Sequence, residues 1–213
     1  MDKDTILEQL CDKYPLLSAV KSQIENISNA IIECYEGGGK LLICGNGGSC
    51  SDAEHIVGEL MKSFEVSRPL ENDLRKKMSE ISPARGAYMA GKLQRGLPAI
   101  ALTAHTSLAT AICNDIDPDL LFAQQVVSYG KAGDLLLAIS TSGNSRNVTD
   151  ACIAARALNM TTTGLTGKKG GEMKEFCDIL ICVPEEITAS VQELHLPVLH
   201  VICRIVENHF FKT

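Results

Sequence analysis

Between residues 5 and 35 the apolar positions fall at Ile6, Leu10, Leu16, Leu17, Val20, Ile24, Ile27, Ile31 and Tyr35, mostly three or four apart. That spacing predicts amphipathic helix, interrupted near Pro15 and ended by the glycines at 37 to 39. From Lys40 onward the pattern changes to short apolar runs alternating with helical ones. KLLICG, LPAIALTA, GDLLLAIS, MTTTGLTG and DILICVP read as strands. Helix is expected over SDAEHIVGELMKSF, from about Ser107 to Ala111, from Leu120 to Tyr129, over NVTDACIAARALN, briefly over GGEMKEFC, and over the closing TASVQELHLPVLHVICRIVENHFF. Strands that are apolar throughout and alternate with helices imply a parallel sheet covered on both faces. The predicted fold is therefore α/β, a doubly wound five-stranded parallel sheet flanked by helices. Residues 68 to 96 break the alternation: they carry many charges and no strand, and read as a helical insertion whose Arg75, Lys76 and Lys77 form a solvated face.

A length of 213 residues suits one domain, with residues 1–36 as an N-terminal helical segment and 68–96 as the insertion. The formal charge of −6 argues against a general nucleic-acid role. The nine cysteines are odd in number, form no C-x-x-C pair and mostly lie in apolar runs, as expected of reduced thiols in a cytoplasm. The opening MDKDTILEQL lacks the basic and apolar regions of a secretion signal, and no apolar run is long enough for a bilayer. A cytoplasmic protein with no membrane or nucleic-acid partner is expected.

In such a sheet, ligands sit beyond the carboxyl ends of the strands, which directs attention to two strand-to-helix loops. The first is GNGGSCSDAEH, from Gly45 to His55. As a dinucleotide loop it fails, because Cys50 stands where G-x-G-x-x-G needs its third glycine and no acidic residue ends the next strand. Its glycines would still let backbone N–H groups approach a ligand, and Ser49 with Asp52 has the spacing of a capping box opening the next helix. The second, STSGNSRNV, offers Ser140, Thr141, Ser142 and Ser145 around Gly143 at a helix start, a neutral cradle for a phosphate dianion. It has no P-loop lysine, which weighs against a nucleoside triphosphate.

Downstream of the first loop, His55 and Glu59 are four residues apart and share a helix face. The last helix places Gln192, Glu193, His195 and His200 among Leu, Val and Ile, where polar groups need partners. Helical geometry alone pairs Glu193 with His200, seven apart, before Gln192, and His195 should face away from His200. Pro197 removes the backbone bond to Glu193 and should kink the helix.

Taken in order, CGNGGSCSDAEHIVGEL, LPAIALTAHTS, Asn114–Asp115, GDLLLAISTSGNSRNV, GLTGKKGGEM and VQELHLPVLH resemble the sugar isomerase (SIS) family, in particular its phosphoheptose isomerases. The resemblance runs from about residue 37 to the C-terminus. It implies a five-stranded SIS fold and a homotetramer with active sites between subunits. It further implies aldose–ketose isomerisation of sedoheptulose 7-phosphate through an enediol, with Glu59 as general base and His200 as general acid. It assigns the sugar phosphate to Ser140, Thr141, Ser142 and Ser145, and the sugar to Asn46, Gly47, Gly48, Ser49, Ala104, His105, Glu59 and Gln192. One zinc ion is implied at His55, Glu59, Gln192 and His200. Moving a proton between C1 and C2 suits one carboxylate and one imidazole, and zinc could polarise the carbonyl. The chain departs from the family at His105, where Asp is common, in the length of the 68–96 insertion, and at Pro197. The competing expectation is a non-catalytic SIS module that binds phosphosugars or a replication initiator.

Overall fold

The computed structural model describes residues 2–212. Helix α1 (Lys3–Lys13) starts at Asp2, whose carboxylate accepts the Thr5 N–H at 2.8 Å, a side-chain cap of the usual kind. The chain then breaks, as the sequence predicts, with Pro15 opening a short 3-10 segment (Pro15–Val20), where its missing N–H is harmless. Helix α2 (Lys21–Glu36) follows, burying Ile24, Ile27 and Ile31 on one face.

The sheet is built from β1 (Leu41–Gly45), β2 (Ala99–Ala101), β3 (Leu135–Ile139), β4 (Thr161–Thr166) and β5 (Ile179–Cys182), all parallel, in the order β2-β1-β3-β4-β5. Its helices are α3 (Gly48–Met61), α4 (Asn72–Ile81), α5 (Pro83–Lys92), α6 (Thr106–Asp115), α7 (Leu121–Tyr129), α8 (Arg146–Ala157) and α9 (Thr188–Phe211). Alternate residues of the central strands feed two cores. Leu41, Ile43, Leu135, Leu137 and Ile139 pack with α1, α2, α3 and α9, whereas Leu42, Cys44, Leu136 and Ala138 pack with α7 and α8.

Every predicted strand is present, but β2 keeps only three residues of the eight-residue LPAIALTA run. It is an edge strand, flanked by Pro98 and by a turn through Ala104, so few partners extend its ladder. GGEMKEFC forms one 3-10 turn over Glu172–Glu175. Residues 68–96 form a helical hairpin of α4 and α5, closed at its base by an antiparallel bridge between Pro69 and Gln94. α9 runs continuously through Pro197.

The strand order places a switch point between β1 and β3, since the chain goes outward from β1 to the β2 edge and then returns to β3 on the other side. The ladder ends with Gly45 opposite Ile139, so the glycine and serine loops leave the sheet side by side.

His195 is fully buried, and neither ring nitrogen completes a hydrogen bond, although the Thr166 main chain lies close enough to favour its charged form slightly. Burial dominates and pushes its pKa down from 6.5 to about 4. Because the folded value is the lower one, the fold holds His195 neutral. Its contribution is complete above pH 6.5 and is lost as pH falls toward 4, reaching roughly 3 kcal/mol. In denaturant titrations across that window, His195→Leu should show a flatter loss of stability than the parent; equal slopes would refute the assignment.

Candidate active site

The first loop turns at Asn46 and Gly47, and α3 begins at Gly48. Here the expected capping box at Ser49 is corrected: Gly47 occupies the N-cap position, and no side chain caps the helix. Ser49 lies inside the helix and is buried, its N–H donating to the Asn46 carbonyl at 3.0 Å. Asp52 instead faces a cavity, with burial raising its carboxyl pKa against a smaller opposing effect of His55. A Cβ at Gly48 would stand 2.4 Å from Nε2 of Gln192, so any side chain there would push the Gln192 amide away. The amide of Gln192 thus lies directly on the glycine loop.

In the second loop Ser140 is buried and its Oγ lies 3.1 Å from Ser145 Oγ. Ser140 Oγ also accepts the Gly143 N–H at 3.2 Å, while Ser142 Oγ accepts the Asn144 N–H at 3.1 Å. Ser145 is the N-cap residue of α8, but its hydroxyl faces Ser140 and makes no cap bond to the helix. Thr141 is partly buried, its carbonyl accepting the Gly167 N–H at 3.0 Å. The hydroxyls are thus held at the mouth of the β1/β3 crevice near a helix N-terminus, an arrangement suited to a phosphate dianion.

A residue to which the sequence reading gave no role joins the two loops. Asn46 donates its amide to Asn147 at 2.8 Å and accepts the Asn147 amide at 3.0 Å, a reciprocal pair across the switch point. Two such bonds are worth about 1–2 kcal/mol at most in a solvated setting. Asn147→Ala is therefore expected to raise KM about tenfold with kcat little changed, which steady-state kinetics would check; an unchanged KM would show the loops to be independently held. The signal was present in STSGNSRNV, but pairing across a hundred residues is invisible to local patterning.

His55, Glu59 and His200 come together although the last is 145 residues from the first. Nε2 of His55 lies 2.9 Å from Nε2 of His200, so one ring donates and the other accepts. Glu59 Oε1 is 3.7 Å from His55 Nε2, and Lys62 Nζ is 3.5 Å from Glu59 Oε2. The Phe64 ring lies 5.7 Å from that of His200. Burial, then the neighbouring His55, lowers the His200 pKa against weaker upward pulls from Glu59 and Glu65, favouring the neutral imidazole. As the side chains stand among the described residues, no three His, Cys, Asp or Glu groups are arranged around one point as metal ligands.

Gln192 and His200 line a cavity of about 1060 Å³ together with Asp52, Phe64 and Tyr14. The serine loop is not on its wall. Glu193 also faces this cavity but is exposed, so the partner role that helical geometry alone suggested for it is not realised. Ala104 and His105 lie apart, on a cavity of about 400 Å³ with Glu54 and Val57, and His105 stacks against Tyr129.

The SIS domain model matches residues 14–87 and 84–167. The chain belongs to the SIS domain family. Among its curated relatives, the phosphoheptose isomerase of Clostridium acetobutylicum is 41% identical over 189 residues, covering 89% of this chain and 83% of that one. The phosphoheptose isomerase of Shewanella denitrificans is 39% identical over 98% of this chain and 95% of its own. Of solved structures, the phosphoheptose isomerase of Neisseria gonorrhoeae superposes with a TM-score of 0.73 at 33% identity, covering 94% of each chain. Within the SIS domain family the chain therefore groups with the phosphoheptose isomerases.

Proposed function

We propose that the protein isomerises sedoheptulose 7-phosphate to an aldose heptose 7-phosphate through an enediol. The observation that carries this reading is the convergence of His55, Glu59 and His200 beside a glycine loop that shares a switch point with a serine cradle. Ser140, Thr141, Ser142 and Ser145 hold the phosphate, and Asn46, Gly47, Gly48 and Gln192 hold the sugar. The Glu59 carboxylate takes the proton from the carbon beside the carbonyl and returns it to the neighbouring carbon. His200 supplies and recovers the oxygen-bound proton, so no net proton is consumed. The regulatory alternative is not favoured, because the curated relatives named above are isomerases and a binding module has no use for the His55, Glu59 and His200 set.

By ligand type the donor set suits zinc, with two imidazoles, a carboxylate and the Gln192 amide, and metal binding would require these side chains to turn toward one point. His55, Glu59, Gln192 and His200 would hold it, and its chemistry there is carbonyl polarisation. A homotetramer with the sites between subunits accords with the separation of the serine loop from the His200 cavity, and with the exposed Leu196 on its wall. A cytoplasmic setting accords with cysteines that are all unpaired among the described residues. No helix among them is long and apolar enough to cross a membrane.

The test is to incubate the purified protein, with and without added zinc, with sedoheptulose 7-phosphate and to follow the anomeric signals by NMR. Appearance of an aldose 7-phosphate is expected. Binding without conversion in either condition would overturn the isomerase reading in favour of a sensor.

A further inference from the structure

Arg68 and Glu207 are both fully buried, with side-chain exposures of 0% and 0%, and neither is part of the site described above. Arg68 Nε donates to Glu207 Oε1 at 2.8 Å, and its Nη2 lies 2.7 Å from the same oxygen. The rest of the guanidinium is directed elsewhere: Nη1 donates to the Leu60 carbonyl at 2.7 Å and Nη2 to the Glu59 carbonyl at 3.1 Å. Glu207 in turn accepts the N–H groups of Phe64 and Glu65, each at 2.8 Å. The underside of the guanidinium is closed by the Phe211 ring, 4.6 Å from its central carbon.

The carbonyls in question belong to the last turn of α3, which has no partner within the helix for its final C=O groups. The C-cap, Lys62, is extended (φ −138, ψ 177), so the chain leaves without closing those carbonyls on itself. Arg68 closes the Glu59 carbonyl and shares the Leu60 carbonyl with the Leu97 N–H at 3.0 Å, and its charge complements the negative end of the helix. The turn it holds is the one that carries Glu59. Glu207 lies on α9, seven residues beyond His200, and by gripping the main chain at Phe64 it sets the ring that lies against His200.

A buried ion pair is a poor device for stability alone, since apolar groups of similar shape often serve as well or better. What apolar groups cannot supply is direction. The planar fork of Arg68 is satisfied by a carboxylate on α9 and two carbonyls on α3 at once, which fixes how the two helices sit against each other. We propose that Arg68 and Glu207 are positioning residues that set the Glu59 carboxylate against the His200 imidazole. The proposal rests on the reading of Glu59 and His200 as the proton-transfer pair.

The test compares the parent with R68M/E207L, Arg68→Lys and Glu59→Gln, using kcat and KM for sedoheptulose 7-phosphate and thermal melting. R68M/E207L replaces the pair by apolar groups but also removes the partners of the Phe64 and Glu65 N–H groups and of the Glu59 carbonyl, so it is expected to melt below the parent while remaining folded. Its kcat should fall about a hundredfold, as for a displacement of about 1 Å at reacting groups, with KM within about threefold of the parent because the serine loop is untouched. Arg68→Lys, which keeps the charge but loses the fork, should fall between the two. If the double variant does not fold, Arg68→Lys decides on the same kcat-against-KM criterion. A folded variant with parental kcat, alongside an inactive Glu59→Gln, overturns the positioning role alone. Parental turnover by Glu59→Gln overturns the underlying reading.

Discussion

Glu59→Gln should lower kcat by about a thousandfold or more, in line with the loss of a positioned general base, while the protein still binds the sugar phosphate. The division follows from geometry. Glu59 sits on the last turn of α3 beside His55 and His200, whereas the serine hydroxyls are organised by one another and by the main chain of Gly143 and Asn144. Nothing in that cradle depends on the Glu59 carboxylate. Glutamine keeps the shape and the Lys62 contact in neutral form, so the parent fold is expected to persist. Isothermal titration with sedoheptulose 7-phosphate, set beside turnover of the same preparation, measures both quantities. A parallel loss of binding and turnover would mean that Glu59 anchors the substrate rather than moving its proton.

Gly143→Ala is expected to damage the opposite half of the site. Gly143 has φ of 68°, a conformation that alanine adopts only with strain, and a Cβ there would lie 2.0 Å from the Gly170 carbonyl oxygen. Neither neighbour can yield without moving main chain, because Met173 donates its N–H to the Gly143 carbonyl at 3.1 Å and Glu172 to the Asn144 side chain at 3.0 Å. A stability loss of about 2–4 kcal/mol is expected from strain and overpacking together. The displaced hydroxyls should raise KM more than they lower kcat. Denaturant unfolding and steady-state kinetics on Gly143→Ala check this; a small stability change with unaltered KM would show that the 167–171 loop is free to withdraw.

The two predictions touch parts of the molecule that were legible to different degrees. Alternating apolar strands and amphipathic helices are local patterns, and the sheet, the break at Pro15 and the helical nature of 68–96 could be read from them. The serine and glycine loops could be located because ligand crevices in parallel sheets lie at the carboxyl ends of strands. The capping box at Ser49 was a misreading of the same loop: S-x-x-D is a valid signal, but Gly47 and Gly48 can enter the helix earlier than a serine cap would permit. Pro197 lies inside α9, as the reading of one long closing helix implies, with its neighbours Val198 and Leu199 buried in the core.

By itself, the order of residues determined the α/β class, the two strand-to-helix loops at the candidate site and the pairing of His55 with Glu59 on one face, since each depends on spacing within a few turns or one strand. Only the tertiary structure decided the rest. It brought His200 to within 2.9 Å of His55, laid Gln192 on Gly48, tied Asn46 to Asn147 and buried Arg68 against Glu207. Those contacts join segments about a hundred residues or more apart, and their partners are chosen by which helices the two cores press together. Burial of apolar faces sets that choice, and polar pairs then form where the packed helices happen to place complementary groups.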